Sequence, residues 1–166
     1  MSRFQGYLVT VIGGTVSLLS FFFLPYLMIS FDGGGTYAFT GFQLTDFGNQ
    51  SSVLADSDLI NRLQLLWIQP LLVALVLVIA LIQLLLSLNK RRDEMAAQRG
   101  ALGVLIVGGF TLIMLICRYF SDAQSTVMLN GTPSTGGSLY NLGFWSLGVG
   151  VLLAVIGGVI ALRAER

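Results

Sequence analysis

Long apolar stretches alternate with short polar ones along this chain, leaving four runs at Tyr7–Ile29, Leu65–Leu88, Ala101–Phe120 and Leu142–Leu162. Each run holds 20 to 24 residues, which is what an α-helix needs to cross roughly 30 Å of hydrocarbon. Strands of a membrane barrel would be about 10 residues long and would alternate in polarity, and these runs do neither. A segment in lipid must also pair its own backbone polar groups, which a helix does. The pattern therefore predicts an all-α membrane protein: a four-helix transmembrane bundle in one domain over 1–166, with connections at 30–64, 89–100 and 121–141. Arg3 and an apolar run near the N-terminus resemble a secretory leader. The run is too long for one and no small-x-small site follows, so a retained span is expected.

Spacing inside the runs predicts how they pack. In the fourth, Gly143, Ser146, Gly150, Ala154, Gly157 and Ala161 fall 3 or 4 residues apart and share one helical face. Such small-residue faces let backbones approach closely where lipid offers no hydrophobic drive. The first run has Gly6, Thr10, Gly13 and Ser17, and the third has Gly103, Gly108 and Gly109, so runs one, three and four are expected to form the tight part of the bundle. The second run lacks glycine and is expected to face lipid over much of its circumference, except along Val73, Val76, Ala80, Gln83 and Ser87. Gln83 reads as the polar side chain deep in a span, an interhelical hydrogen-bond donor or a polar spot on a transport path. Arg118 is the one formal charge within a run and is expected near an interface, snorkelling or paired with Asp122.

The connections carry β signals. Residues 30–48 predict a hairpin, with Asp32–Gly35 as the turn and the β-forming stretch Thr36–Phe42 after it. Asp56 and Asp58 offer N-caps for the second helix, and Pro70 is expected to bend it. In the last connection, Thr126–Leu129 reads as a short strand, Asn130–Pro133 as a turn and Ser134–Ser138 as a flexible tail. Together these predict a small β-containing cap. Of the 11 Phe, 5 Tyr and 2 Trp residues, all but Phe4, Tyr7 and Phe110 fall in this cap or at the adjoining span ends. An interfacial belt would populate both ends of the spans. The excess predicts an aromatic core for the cap or a partner surface made from Tyr37, Phe39, Phe42, Phe47, Trp67 and Trp145.

Charge sets the orientation. Arg3, Lys90, Arg91, Arg92, Arg99, Arg163 and Arg166 lie on one side of the four spans, and only Arg62 and Arg118 on the other. The positive-inside rule then places both termini and 89–100 in the cytoplasm, and 30–64 and 121–141 outside, in a plasma (inner) membrane. Composition agrees, with 55% hydrophobic and 10% charged residues, far from the roughly 25% charged of soluble domains.

Catalytic chemistry is sparse. The chain has no histidine and a single cysteine, Cys117, so His-based metal sites, Ser-His-Asp triads and internal disulfides are excluded. The glycines at 33–35 lack the Lys-Ser/Thr of a phosphate loop, and the outer aspartates match no calcium loop. No catalytic residue, metal or cofactor is expected. Four helices with cytoplasmic termini, a longer first outer segment bearing β-structure and a shorter second one resemble the claudin-type topology. Residues 30–64 lack that family's Gly-Leu-Trp and paired-cysteine signature. Pro25-Tyr26, Thr40-Gly41-Phe42 and Gly143-Phe144-Trp145 look more like small, functionally unassigned bacterial four-helix membrane proteins. The expected role is a non-catalytic accessory, assembly or scaffold subunit that binds a membrane partner through its outer aromatic face and its small-residue helix faces. Its partners are the lipid bilayer and a membrane protein or further copies of itself, with no nucleic acid. The alternative is a small oligomeric transporter or channel component.

Overall fold

A computed structural model describes residues 2–30, 36–45, 64–88, 94–122, 128–129, 132–133 and 136–164. The first helix, α1 (Arg3–Phe23), starts on a capping box. The Gln5 N–H donates to Ser2 Oγ at 3.3 Å and the Ser2 N–H donates back to Gln5 Oε1 at 2.9 Å, satisfying two donors that a helix start leaves open. It stops because of Pro25, whose ring excludes helical geometry at the preceding residue. Leu24 accordingly turns extended at φ −97° and ψ 148°.

The chain then continues as strand β1 (Pro25–Ser30), so the predicted span to Ile29 is corrected. Hydropathy could not separate the two elements because Pro25–Ile29 is as apolar as the helix before it. β1 pairs antiparallel with β2 (Thr36–Thr40), with Met28 opposite Ala38 and Ser30 opposite Thr36. A hairpin exists, but its first strand lies upstream of the expected 30–48, and its second ends at Thr40. There a second reciprocal cap, between Thr40 and Gln43, starts the one-turn helix α2 (Gly41–Thr45). The expected turn at Asp32–Gly35, the caps Asp56 and Asp58, and Phe47 lie outside the described residues.

A 3-10 turn (Gln64–Trp67) leads into α3 (Ile68–Leu88). Pro70 thus falls in the first α-turn, where a missing N–H costs least. α4 (Glu94–Asp122) begins well before Ala101, so most of the predicted loop 89–100 is helix. Two-residue strands β3 (Met128–Leu129) and β4 (Thr132–Pro133) pair antiparallel, so the second half of the expected turn Asn130–Pro133 is strand, and its first half lies outside the described residues. β5 (Gly136–Tyr140) occupies the stretch expected to be a flexible tail. It joins the hairpin on the free edge of β1, giving the order β2-β1-β5, and pairing with a distant strand supplies the order its Gly and Ser content does not. Asn141 then caps α5 (Leu142–Arg163), its Oδ1 accepting from the Leu142 N–H at 2.6 Å.

Four of these helices are long and apolar enough to cross a membrane. They form an up-down-up-down ring in which α1 packs on α3 and α5, and α4 packs on the same two. The sheet closes one end, called the sheet end below. The termini, with Arg3, Arg99 and Arg163, lie at the other. At that terminal end Arg3 Nε donates to the Ala164 carbonyl and the Tyr7 hydroxyl to the Ala97 carbonyl, tying α1 to α5 and α4.

Candidate functional site

The predicted small-residue face is where α1 and α5 meet. A Cβ on Gly6 would lie 2.5 Å from the Ala161 nitrogen, one on Gly13 2.5 Å from the Gly150 oxygen, and one on Gly157 2.5 Å from the Gly6 oxygen. Ala154 and Ala161 are buried in the same seam, Gly143 abuts the Leu24 and Pro25 carbonyls, and Ser146 is half-buried beside it. Two hydroxyls cross the seam. Thr10 Oγ1 donates toward the Ala154 carbonyl at 3.1 Å, and Ser17 Oγ toward the Leu147 carbonyl at 3.0 Å. The face is therefore consumed within the chain and offers nothing to a partner. Gly108 packs on Val155, and Gly158 on Val104 and Leu105, which brings α4 to α5 in the terminal half of the bundle.

The inward face of α3 is placed as expected, with Val73, Val76 and Ala80 buried. Gln83 makes the expected interhelical hydrogen bond but lies shallower than expected. It is only half-buried, five residues from the end of α3, and its amide donates to the Ala96 carbonyl at 3.2 Å, resting over Gly100. It serves as an interhelical clamp. The deeply buried amide is Gln69, fully covered, whose Oε1 accepts from the Tyr26 hydroxyl at 2.9 Å while Nε2 has no partner among the described residues. Gln69 precedes Val73 by four residues and continues the same face, so the spacing signal extended one turn further than Val73. Arg118 is half-buried, four residues from the sheet end of α4.

Between the four helices the bundle is nearly filled. Gly14, Val73, Val76, Thr111, Val151 and Ala154 enclose a gap of only about 10 Å³. Among the described residues no cluster of His, Cys, Asp and Glu could hold a metal ion.

The aromatic residues form one array across the sheet end. Rings contact in the order Trp67, Phe42, Phe22, Phe21, Tyr26, Phe144, Tyr119 and Trp145, with centroids 5.4 to 6.3 Å apart. Tyr140 stacks on Phe144 at 4.0 Å. The middle of the array is core: Phe21, Tyr26 and Phe144 are buried together with Leu27, Leu66 and Leu147. Among the described residues the cap shares the core of the bundle. Phe39, expected on the partner surface, is also buried. Both ends of the array are open. At one end Phe42 is 42% exposed and Trp67 38%, and at the other Trp145 is 54% exposed; Tyr37, stacked on Phe39 outside the array, is 49% exposed.

Beside Trp145 the sequence pattern missed a feature altogether. An apolar groove of about 300 Å³ runs between α4 and α5, with Leu112, Ile116 and Phe120 on one wall and Trp145, Val149 and Leu152 on the other. Gly148 helps to leave it empty, since nothing lies within 4 Å of where its Cβ would be. No family model, curated protein or solved structure matches the chain.

Proposed function

We propose that this is a non-catalytic, multi-pass protein of the plasma (inner) membrane, with both termini cytoplasmic, acting as an accessory or assembly subunit for another membrane protein. The observation that carries the reading is the aromatic flank of the exposed pair Phe42 and Trp67, whose ring centroids lie 6.1 Å apart, together with exposed Tyr37 on strand β2. Large rings left this exposed on an ordered cap are characteristic of protein-binding surfaces, which are enriched in Tyr, Trp and Phe. The small-residue seam is excluded from that role because α1 and α5 already fill it.

The packed centre of the bundle supports this reading over a pore through a single chain. A gap near 10 Å³ lined by Val, Ala, Gly and Thr is too small and too apolar for ions or solutes. Gln83, whose amide is held by α4, adds no polar path. The test is purification of the tagged protein from its native membrane in mild detergent. Another membrane protein should accompany the wild type and be lost with Tyr37→Ser or Phe42→Ser, while helix content is retained. Solute flux from the protein reconstituted alone, with no accompanying subunit, overturns the proposal.

A further inference from the structure

The groove between α4 and α5 differs in kind from the aromatic flank, and its dimensions say what fits it. From Leu112 to Phe120 the helix rises about 12 Å at 1.5 Å per residue. The groove's volume of about 300 Å³ is about a third of the roughly 900 Å³ that a cylinder of helix width, about 10 Å, fills over the same rise. A transmembrane helix is about 10 Å across and cannot enter. A chain of methylenes, whose carbons pack at about 4 Å from their neighbours, can.

Depth agrees with width. The groove lies along Trp145 to Leu152, three to ten residues into α5, or about 5 to 15 Å below the sheet-end boundary of that helix. That is the half of a hydrocarbon layer nearest the sheet. At its mouth stand Trp145 and Tyr119, both exposed, each joining a ring to one polar donor, a combination suited to headgroup depth. The lining is otherwise aliphatic and phenyl, with no group to anchor a polar ligand. The groove is also local, because Gly108 and Gly158 draw α4 and α5 together in the terminal half.

We infer that this groove holds one acyl chain of a glycerophospholipid from the leaflet on the sheet side, with the lipid's ester and phosphate oxygens accepting from Trp145 and Tyr119. The inference rests on the membrane reading of the four helices and is independent of the aromatic flank as a partner site. A bound chain fills the notch and carries the contour of α4 smoothly into α5. The protein then presents a lipid-completed face at that point.

The test uses the whole protein reconstituted in vesicles of phosphatidylethanolamine and phosphatidylglycerol containing a phospholipid with a photoreactive group midway along one acyl chain. Cross-links should concentrate at 112–120 and 144–152. They should fall at least tenfold there in Gly148→Phe, which fills the groove from open space, with labelling of the exposed α3 residues Leu75 and Leu85 unchanged. Native mass spectrometry should show one retained phospholipid lost in the same variant. Uniform labelling around all four helices, or undiminished groove labelling in Gly148→Phe, overturns the inference. So does cross-linking of the groove to another polypeptide or to a second copy of the chain. Absence of label from α3 as well as the groove overturns the membrane reading itself.

Discussion

Single glycines divide into two groups by what stands beyond their missing side chain. At Gly157 even one methyl would meet the Gly6 carbonyl and the Thr10 backbone of α1, whereas at Gly109 nothing lies within 4 Å. Gly157→Ala should therefore already destabilise the bundle, by about 1 to 3 kcal/mol for overpacking against a backbone that cannot yield. Gly109→Ala should be neutral or gain up to about 1 kcal/mol from helix propensity. Thermal melts in detergent check both, and equal effects would refute the seam. The Tyr26–Gln69 pair makes a second residue-scale test. Removing the hydroxyl in Tyr26→Phe strands a fully buried amide and should cost about 1 to 3 kcal/mol, while Tyr26→Phe combined with Gln69→Leu should recover most of it. Additive losses in the double variant would show that the pair does not interact.

At the scale of elements, what the sequence made legible depended on whether an element is specified locally. The α5 stripe was readable because Gly143 to Ala161 repeat at helical spacing, and the inward face of α3 because Val73, Val76 and Ala80 do. β1 was hidden because Pro25–Ile29 prolongs the hydropathy of α1, and only Pro25 marks the change. β5 was hidden because Gly136, Gly137 and Ser138 have no strand propensity of their own and are held by β1, more than a hundred residues earlier. The groove was invisible for a related reason: it is a space between two helices, created by where each of them is held elsewhere. The boundary at Pro25 has a direct check. Cysteines at Met28 and Ala38, in a Cys117→Ser background, oppose each other across an antiparallel pair and should oxidise to a disulfide. A helix continuing to Ile29 would not bring them together, so failure to cross-link would restore the longer span.

For the whole molecule, the ring of four helices puts the sheet at one end and Arg3, Arg99 and Arg163 at the other. The proposed topology, read from the charge pattern, puts the terminal end in the cytoplasm. Exposed Tyr37 and Met95 report the two ends. In a Cys117→Ser background, Tyr37→Cys should react with an impermeant thiol reagent added outside intact cells, and Met95→Cys only after permeabilisation. The reverse pattern would invert the topology, and labelling of both from outside would break the four-span arrangement.

The seam between the first and last helices also has a consequence for biosynthesis. A ribosome delivers α1 long before α5, and sheet strand β5 follows at a similar delay, so the closest contact in the protein is among the last to form. In the proposed membrane setting, the face bearing Thr10 and Ser17 sits in lipid without its partner during that interval. Each hydroxyl carries its own provision for the wait: besides their bonds across the seam, Thr10 Oγ1 reaches the Gly6 carbonyl at 3.1 Å and Ser17 Oγ the Gly13 carbonyl at 3.0 Å, both within α1. Such back-bonding inside a helix costs little and keeps the proton satisfied. A chain truncated after Asp122 should accordingly insert but remain open to proteolysis, and co-expression of the segment 123–166 should protect it by completing the seam and the sheet. Protection of the truncated chain on its own would show that the late contact is dispensable. The order of synthesis thus selects for residues that are content alone and better together, and hydroxyl-bearing small residues on the earliest helix meet both conditions.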